Sequence, residues 1–412
     1  MKLGLIGYPL GHSWSPEIHG LLIGEDYVLW ELKKEELDAF FEKRDFDGIN
    51  VTIPYKKEVM KYLDEIEENA KAIGAINCIK KEKDKLIGYN TDYLGLEGML
   101  EAHGISLENR NVLLLGNGGV GQACKQLLKK KQAHVTIVDK NQTKECISLE
   151  KARKIGASFD CLFQATPVGM YPNVEESPID LKDFPNLTTI VDCIANPLRT
   201  KLYQEASAQG IEVLGGFEML VRQAYCADLI FTNASIPEEK LQECLHTLTY
   251  QKRNIALIGM PTSGKTTIGK ELAKVLDRDY IDIDEEIEKE IKMPIRKCFE
   301  EYGEDCFREV ETRCTKKLIA PEGKVISCGG GVIKKEENMT YLKANSIILF
   351  LDRDLEHLYG SSSRPLSQTK EDLEHLYQER YPLYQKYADM TILNHGTMEE
   401  TIAQIRKKLE EL

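Results

Sequence analysis

The chain has 412 residues, 42% of them hydrophobic and 29% charged, which suits about two to four globular domains. Its formal net charge of −13 argues against broad nucleic-acid binding, because that binding depends on a basic surface. No apolar run approaches the roughly 20 residues of a membrane span, and the eleven cysteines include no C-x-x-C pair, so we expect a cytoplasmic protein with reduced thiols and no membrane partner.

The first block of the chain alternates short β-rich runs with helical stretches. It opens with KLGLIG, a short apolar run that ends in a Gly/Pro turn and lacks the long core of a signal peptide, so we expect a β-strand there. The run AINCIKKEKDKLIGYN carries its charges at the centre, which predicts a β-hairpin that turns in KEKDK.

Polar residues follow the apolar runs of this block, as a site for a small polyol would need. They are Ser13, Ser15, Thr52, Lys56, Asn77, Asn90 and Asp92. A lysine near an aspartate is an acid–base candidate for carbonyl reduction. The alternative for Lys56 and Asp92 is a structural salt bridge.

From Asn111 the pattern is strand, glycine loop, helix and strand, in the runs NVLLLG, GVGQACKQLLKKK and HVTIVD. It predicts a βαβ unit of a parallel sheet. The loop glycines are Gly116, Gly118, Gly119 and Gly121. In this context they predict a dinucleotide-binding loop, and the alternative is a tight strand–helix turn without a ligand.

The residues after the second strand of this unit bear on the choice of cofactor. Asp139 lies about 20 residues past the glycines, where a carboxylate suits a ribose 2′-hydroxyl and repels a 2′-phosphate. Lys140 could partly offset that repulsion. We therefore expect use of NAD, or of both NAD and NADP, and the preference between them stays open.

A helical stretch from about Gly216 to Thr232 closes this half of the chain. Between Ile236 and Asn254 the sequence predicts one polar helix and a short basic joint rather than a long flexible linker. A second α/β pattern begins at Asn254, so the chain carries two separate candidate nucleotide sites.

The second loop has the spacing G-x-x-x-x-G-K-T between an apolar strand and an amphipathic helix. This pattern predicts a phosphate-binding loop for a nucleoside triphosphate. Its members are Gly259, Gly264, Lys265 and Thr266. The glycines let backbone N–H groups surround the phosphates, the lysine supplies charge for the β- and γ-phosphates, and the threonine hydroxyl can ligate Mg²⁺.

Asp282 and Asp284 stand at the end of the next predicted strand, YIDID. Two carboxylates at i and i+2 of a strand face the same way, so one could serve Mg²⁺ and the other an acceptor hydroxyl. A helix N-cap is the alternative. Further candidate groups are Arg308, Gly329, Gly330, Gly331, Arg364 and Arg380.

Together these motifs make residues 254–412 resemble the shikimate kinase family. The resemblance implies that Asp282 serves Mg²⁺ together with Thr266, and that the glycine triplet lies against the substrate. It implies that Arg308 and Arg380 bind the substrate carboxylate, a task for which planar guanidinium groups are suited. The implied catalytic residues are Lys265 and Asp284, of which Asp284 also contacts the substrate hydroxyls. The implied ATP contacts are Gly259, Gly264, Lys265, Thr266, Thr267 and the lid residue Arg364.

Two features depart from that family. Thr262 and Ser263 replace the glycine-richer middle of its phosphate loop. The lid, LYGSSSRPLSQ, is short and lacks a further basic residue before its arginine.

Residues from Met1 to about Glu239 resemble the shikimate dehydrogenase family. The matching motifs, in chain order, are H-S-x-S-P, N-V-T-x-P-x-K, N-T-D, A-T-P-x-G-M and G-x-x-M-L-x-x-Q-A. The resemblance implies that Lys56 and Asp92 form the catalytic pair, with Asp92 also touching the substrate. It implies substrate contacts from Ser13, Ser15, Thr52, Asn77 and Gln223, and cofactor contacts from Gly116, Gly118, Gly119, Gly121, Asp139 and Gly216. Ala195 departs from the family, which has a tyrosine there.

The predicted fold class is α/β throughout. We expect a substrate domain at 1–100 that is completed by about 216–245, a Rossmann-like NAD(P)-binding domain at 101–215, and a P-loop domain like that of nucleoside monophosphate kinases at 253–412. The resemblances imply a bifunctional enzyme of aromatic amino-acid biosynthesis, which reduces 3-dehydroshikimate with NADP or NAD and phosphorylates shikimate with ATP and Mg²⁺. The alternatives are a kinase whose first half is a non-catalytic binding module or prefers quinate. The expected partners are these small molecules and no nucleic acid, with a homodimer left open.

Overall fold

The computed structural model describes residues 1–11, 13–141, 145–358 and 369–411. The chain divides into two compact units. Unit 1 comprises Met1–Met170 and Glu176–Leu248, and unit 2 comprises Tyr171–Glu175 and Thr249–Leu412. Both units are α/β, as predicted. Within the described ranges, no helix combines the length and the apolar character needed to cross a membrane.

The first sheet of unit 1 has six strands in the order β2-β1-β3-β5-β6-β4. The strands are β1 Leu3–Gly7, β2 Tyr27–Glu31, β3 Gly48–Val51, β4 Glu65–Ile66, β5 Cys78–Glu82 and β6 Lys85–Tyr89. The helices among them are α1 Ser15–Ile23, α2 Leu37–Lys43, α3 Glu68–Ile73 and α4 Thr91–Ala102. β1 pairs in parallel with β2 and β3, whereas β5 is antiparallel to β3 and β6. The predicted first strand and the predicted hairpin are confirmed.

The second sheet of unit 1 has six parallel strands in the order β12-β11-β10-β7-β8-β9. The strands are β7 Asn111–Leu115, β8 His134–Val138, β9 Cys146–Ile147, β10 Cys161–Gln164, β11 Thr189–Asp192 and β12 Glu212–Gly215, and the helices are α5 Gly119–Lys130, α6 Leu149–Lys154 and α7 Lys201–Ala208. The predicted βαβ unit is confirmed as β7–α5–β8. The strand order reverses between β7 and β10, and in such sheets ligands bind at the carboxyl ends of the strands beside the reversal.

Two helices complete this half of the chain, α8 Gly216–Thr232 and α9 Glu238–Lys252. α8 packs so closely on α4 that a Cβ atom on Gly95 would lie 2.8 Å from the backbone nitrogen of Gln223. A glycine is therefore needed at that crossing. α9 is the predicted polar helix, and the boundary between the two units falls within it.

Unit 2 has one sheet of five parallel strands in the order β14-β15-β13-β16-β17. The strands are β13 Asn254–Ile258, β14 Tyr280–Asp282, β15 Val325–Ser327, β16 Ser346–Asp352 and β17 Met390–Leu393. The helices are α10 Lys265–Val275, α11 Ile283–Ile291, α12 Ile295–Lys317, α13 Glu336–Asn345, α14 Lys370–Tyr387 and α15 Met398–Glu410. Along β13, Ile255 and Leu257 belong to one core cluster and Ala256 and Ile258 to another. Successive side chains of a strand point to opposite faces, so helices cover both faces of this sheet.

The short segment Tyr171–Glu175 belongs to the second unit. Its Val174 is fully buried with Ile319, Tyr341 and Ala344. The carboxylate of Glu175 lies 2.5 Å from the ammonium of Lys316. The segment is thus held by an apolar cluster and an ion pair.

Candidate active sites

The predicted pair Lys56 and Asp92 is in direct contact in unit 1. Lys56 lies in the turn after β3, and Asp92 lies in the first turn of α4; the Lys56 ammonium donates to the Asp92 carboxylate at 2.6 Å. The side chains are 21% and 10% exposed, so the pair is shielded but reachable. The turn of Lys56 is tied to β5 because the Ile76 N–H donates to the Lys56 carbonyl. This geometry suits an acid–base pair and would equally suit a structural ion pair.

Asn90 determines where α4 begins. Its side-chain oxygen accepts from the Tyr93 N–H, which is one of the donors left free at a helix start. Its amide also donates to the Ala75 carbonyl at 2.9 Å. Asp92 is therefore held in the first helical turn beside the β5 strand.

Thr91 connects two of the predicted substrate residues and precedes a third, and the sequence analysis did not single it out. It is fully buried, and its backbone N–H donates to the Asn77 side-chain oxygen at 2.6 Å. Its hydroxyl lies 3.3 Å from that oxygen and 3.1 Å from the side-chain oxygen of Gln223. The structure thus brings Asn77, Asp92 and Gln223 together. The available signal was its position in the N-T-D motif.

The remaining predicted substrate groups lie at the start of α1 and just after β3. Ser13 and Ser15 have their hydroxyl oxygens 3.2 Å apart at the start of α1, of which Ser15 is the first residue. The ring of Trp14 between them packs edge-on against Phe217 of α8, with centroids 5.3 Å apart. Thr52 follows β3, and its N–H donates to the Ile6 carbonyl of β1 at 3.0 Å.

The glycine loop after β7 has room for an anion at the start of a helix. A Cβ atom on Gly121 would lie 2.3 Å from the Gly116 carbonyl oxygen, so the loop closes only around glycine. Gly118 and Gly119 face open space, with nothing within 4 Å of an added Cβ. α5 begins at Gly119, and its N-terminal N–H groups and dipole favour a pyrophosphate there.

Asp139 lies beside this loop, at the end of β8. One carboxylate oxygen accepts from the Asn117 N–H at 2.7 Å, and the other accepts from the Asn141 N–H at 2.8 Å. Its negative charge is therefore fixed next to the glycine loop. Gly216, also predicted to contact the cofactor, starts α8 and packs against the chain after β11, because an added Cβ would lie 2.4 Å from the carbonyl carbon of Cys193.

The phosphate loop of unit 2 wraps around the predicted lysine. The Lys265 ammonium donates to the carbonyls of Gly259 at 2.9 Å and of Met260 at 2.8 Å. Gly264 has φ = +93°, a region open to glycine. Thr262 also has a positive φ of 64°, which is unusual for a β-branched residue. Thr262, which replaces a glycine-rich part of the family's loop, therefore also has an unusual backbone conformation.

Asp282 has two tasks in the structure. One of its oxygens accepts from the Asp284 N–H at 3.0 Å, so it caps α11; the other lies 3.0 Å from the hydroxyl oxygens of Thr266 and Tyr280. The expectation that both aspartates lie on the strand is wrong, since β14 ends at Asp282 and α11 begins at Ile283. The N-cap alternative is confirmed. The first N–H groups of a helix have no partner within the helix, and the Asp282 side chain accepts from one of them.

Arg308 of α12 is fixed by two glutamates. Its Nε and Nη2 donate to Glu304 at 3.1 and 3.0 Å, and its Nη1 donates to Glu311 at 2.8 Å. An added Cβ on Gly331 would lie 2.2 Å from Nη2. The third glycine of the triplet is therefore required by the guanidinium that packs on it.

Arg380 of α14 has unused donors. It is 3% exposed, and among the described residues no hydrogen-bond acceptor is recorded for its buried Nε and Nη2. Buried donors without partners are costly, and a bound carboxylate would satisfy them. Close by, the Tyr384 hydroxyl donates to the Gly330 carbonyl at 2.5 Å, which fixes the middle of the glycine triplet.

Glu311 is a second residue that the sequence analysis left without a role. It is fully buried, and burial raises the pKa of its carboxyl group against the opposing effect of Arg308. An added Cβ on Gly329 would lie 2.7 Å from an Asp284 oxygen and 3.2 Å from a Glu311 oxygen. Both carboxylates therefore approach the same glycine. The available signal was its position three residues after Arg308, in the run CFREVE.

A cavity of about 620 Å³ joins these groups in unit 2. Its lining includes Lys265, Thr266, Thr267, Asp282, Asp284, Arg308, the three glycines 329–331 and Arg380. No group of three or more His, Cys, Asp or Glu side chains that could hold a metal occurs in the described part of the chain. Mg²⁺ commonly uses one or two carboxylates together with nucleotide phosphates, so Asp282 and Thr266 suit a magnesium ion that enters with ATP. Arg364 lies outside the described residues.

Comparisons with known proteins cover both units. Residues 5–79 match the family model of the shikimate dehydrogenase substrate binding domain, and residues 261–410 match that of shikimate kinase. A shikimate dehydrogenase (NADP(+)) from Methanococcus maripaludis is 38% identical over 254 residues, which are 56% of this chain and 91% of the relative. The chain belongs to the shikimate dehydrogenase family. Its C-terminal unit adds a shikimate kinase domain.

Solved structures agree with this assignment for the first unit. A chorismate mutase/shikimate 5-dehydrogenase fusion protein from Clostridium acetobutylicum is 38% identical, with a TM-score of 0.56 over 60% of this chain and 96% of that one. A shikimate 5-dehydrogenase from Thermus thermophilus, solved with NADP(H) and shikimate, is 29% identical, with a TM-score of 0.55 over 60% and 99%. With the kinase match, these findings identify a bifunctional shikimate-pathway enzyme, an oxidoreductase joined to a phosphotransferase.

Proposed function

We propose that unit 1 reduces 3-dehydroshikimate to shikimate with NADP or NAD, and that unit 2 phosphorylates the 3-hydroxyl of shikimate with ATP and Mg²⁺. One observation carries the proposal: each unit holds a full set of reacting groups. The Lys56–Asp92 pair accompanies an open glycine loop in unit 1. Lys265 and Asp284 share an arginine-lined cavity in unit 2.

In unit 1 the bound cofactor supplies hydride to the carbonyl carbon. The Lys56 ammonium donates a proton to the oxygen that becomes the hydroxyl, and Asp92 orients the lysine through their direct contact. Ser13 and Ser15 hold the substrate carboxylate through hydrogen bonds that their hydroxyl groups donate. The hydroxyl groups are held by Thr52, Asn77 and Gln223, of which the last two are oriented through Thr91.

In unit 2 the bound Mg²⁺–ATP supplies the phosphoryl group. Lys265 neutralises charge on the phosphates, and Asp284 accepts the proton of the attacking hydroxyl. Arg308 is already fixed by Glu304 and Glu311, so it presents a rigid face to the substrate carboxylate. The buried donors of Arg380 complete that carboxylate site.

We propose that unit 1 accepts both NADP(H) and NAD(H) as its dinucleotide cofactor. The name of the relative from Methanococcus maripaludis specifies NADP(+). In this chain the Asp139 carboxylate beside the glycine loop opposes a 2′-phosphate and suits a 2′-hydroxyl. Lys140 is exposed next to it and offsets part of that charge.

A coupled assay tests the whole proposal. The protein is supplied with 3-dehydroshikimate, NADPH or NADH, and Mg²⁺–ATP, and shikimate 3-phosphate is measured by mass spectrometry. We expect its formation to need both the reduced cofactor and ATP. Accumulation of unphosphorylated shikimate would refute the kinase part, and oxidation of quinate in preference to shikimate would refute the substrate assignment of unit 1.

We also propose a cytoplasmic location, which the eleven free cysteines support because reduced thiols persist there. We propose functional domain boundaries near residues 100, 215 and 253, which separate the substrate, dinucleotide and kinase domains. A homodimer stays a prediction from the sequence.

A further inference from the structure

Arg353 lies directly after β16, beside the phosphate loop of unit 2. β16 pairs with β13, and Phe350 lies opposite Ile258, the last residue before the loop. In the sheet order, β15 flanks β13 on one side and β16 flanks it on the other. The acceptor groups Asp282 and Gly329–Gly331 follow β14 and β15. Arg353 therefore lies on the side of the loop opposite the acceptor.

The guanidinium of Arg353 is close to the loop and has an unused donor. Its Nη1 lies 4.0 Å from the position of a Cβ atom on Gly264, a residue that lines the 620 Å³ cavity. In the described part of the chain its buried Nε has no recorded hydrogen-bond partner. The neighbouring Asp354 is engaged by His395, whose Nδ1 lies 2.6 Å from its carboxylate. No ion pair to Arg353 is recorded within the described ranges.

Asn394 fixes the phosphate loop on the side where Arg353 lies. Asn394, just after β17, donates its side-chain amide to the Ser263 carbonyl at 2.7 Å. The Asn394 side-chain oxygen accepts from the Thr401 hydroxyl at 2.9 Å. An added Cβ on Gly264 would lie 3.1 Å from the Asn394 amide nitrogen. The loop is thus fixed to the β17 end of the sheet, next to the strand that carries Arg353.

The direction of phosphoryl transfer indicates which part of the nucleotide lies near Arg353. The attacking and leaving oxygens lie roughly in line on opposite sides of the transferred phosphorus. With the acceptor at the β14–β15 side, the ADP part of the nucleotide extends toward β16. Between Arg353 and the lid residue Arg364 the sequence contains no lysine or arginine, and the chain carries a net charge of −13. A guanidinium at that side supplies positive charge where ADP phosphates need it.

We propose that Arg353 binds the part of ATP that is not transferred, through its α-phosphate. This inference rests on the proposed kinase reaction and adds to it a nucleotide-binding residue outside the phosphate loop and the lid. Arg353 contributes to nucleotide affinity and not to recognition of shikimate.

The test compares Arg353→Gln, Arg353→Lys and a matched control, Arg406→Gln, which removes an exposed arginine of α15 in the same unit. The measurements are KM for ATP, KM for shikimate, kcat, and the Kd of ADP by calorimetry. Circular dichroism of the same samples reports whether both units are folded, and dehydrogenase activity checks unit 1. We expect Arg353→Gln to raise KM for ATP and the Kd of ADP about tenfold, the order of one charge-assisted contact.

The conservative variant and the substrate dependence make the result specific. Arg353→Lys should recover part of the affinity, because it keeps the charge and loses the planar fork. KM for shikimate and the dehydrogenase rate should not change, and Arg406→Gln should behave as the unmodified protein. Unchanged ATP and ADP affinities in Arg353→Gln, or a parallel rise in KM for shikimate, would overturn the inference. If the unmodified protein did not phosphorylate shikimate, the proposed kinase reaction would fail, and ADP binding would still decide the role of Arg353.

Discussion

At the scale of single residues, the two units use different side chains to bind the same kind of substrate. Each must hold a small anionic polyol and stabilise charge that develops during the reaction. Unit 1 uses hydroxyl and amide groups around one ion pair, Lys56–Asp92. Unit 2 uses buried arginines, of which Arg308 is neutralised by two glutamates and Arg380 keeps unused donors. Buried donors without partners raise the free energy of the folded protein, so Arg380 should gain more than Arg308 from binding a carboxylate.

Asp139 allows a residue-level prediction about the cofactor. Asp139→Asn keeps an oxygen that can accept from the Asn117 N–H and removes the negative charge beside the glycine loop. We expect the ratio of kcat/KM for NADPH to that for NADH to rise about tenfold, since one repulsive charge near a 2′-phosphate is lost. Steady-state kinetics with both cofactors measure the ratio. A ratio equal to that of the unmodified protein would show that Asp139 does not face the ribose.

At the scale of secondary-structure elements, short contacts between helices and strands position the side chains of the sites. The start of α4 is the clearest case. Thr91 joins it to Asn77 beside β5 and to Gln223 on α8, and Gln223 is 132 positions away in the sequence. α4 and α8 approach closely enough for this only because Gly95 lacks a side chain.

We therefore predict that Thr91→Val weakens substrate binding in unit 1. The change keeps the shape and removes the hydroxyl between Asn77 and Gln223. KM for shikimate should rise about tenfold while kcat falls less, because Lys56 and Asp92 are untouched. Thr91→Ser, which restores the hydroxyl, is the control. Equal kinetics for the valine and serine variants would contradict a positioning role.

The end of β11 gives a prediction about pH. Asp192 is 1% exposed, and burial raises the pKa of its carboxyl from 3.8 to about 6, against hydrogen bonds from the Thr200 hydroxyl and the Ile194 N–H. The folded state thus binds this proton more tightly than the unfolded chain does. Between about pH 4 and 6 the stability contributed by this group falls as the pH rises, and above that range the full cost of the buried charge remains.

Asp192→Asn should remove that cost. We expect the melting temperature of unit 1 to rise on the order of 5 °C at pH 8 and much less at pH 5, where the native carboxyl is largely protonated. Differential scanning calorimetry of both proteins at both pH values measures this. A stabilisation of equal size at pH 5 and pH 8 would rule out ionisation of Asp192 as its cause.

At the scale of the whole molecule, the order of the units in the chain follows the order of the proposed reactions. Each unit has its own sheets, its own core clusters and its own nucleotide loop. Among the described residues, Lys56 and Asp92 belong to unit 1, and Lys265, Asp284, Arg308 and Arg380 belong to unit 2. The two activities should therefore be separable by single substitutions.

Lys56→Ala should lower the dehydrogenase kcat by about 10²–10⁴-fold, the usual range for loss of a general acid, and leave the kinase unchanged. Lys265→Ala should have the reverse effect. The control for the first is Lys57→Ala, which removes the exposed neighbouring lysine. Each variant is assayed for both activities and for folding by circular dichroism. Loss of both activities in either folded variant would contradict independent sites, and a normal kcat in Lys56→Ala would favour the structural ion pair.

The sequence by itself determined the class of the fold, and it predicted the two nucleotide loops and most of the residues of both candidate sites. These features depend on local chain properties: alternating apolar runs, glycines at tight loops, and motifs in a fixed order. β1, the β5–β6 hairpin, the βαβ unit and the polar helix α9 all appear where local pattern predicted them. The motifs also placed Lys56 with Asp92 and Arg308 with Arg380 before any contact was known.

Only the tertiary structure decided how side chains from distant segments meet. It showed that Thr91 links Asn77 to Gln223, that Glu311 and Asp284 converge on Gly329, and that Arg353 approaches Gly264. It also ended β14 at Asp282, because capping a helix start outweighed the strand pattern of YIDID. Such contacts depend on which faces of the helices and strands pack together. A pattern read along one segment does not contain the partner segment, so these roles could not be read from the sequence.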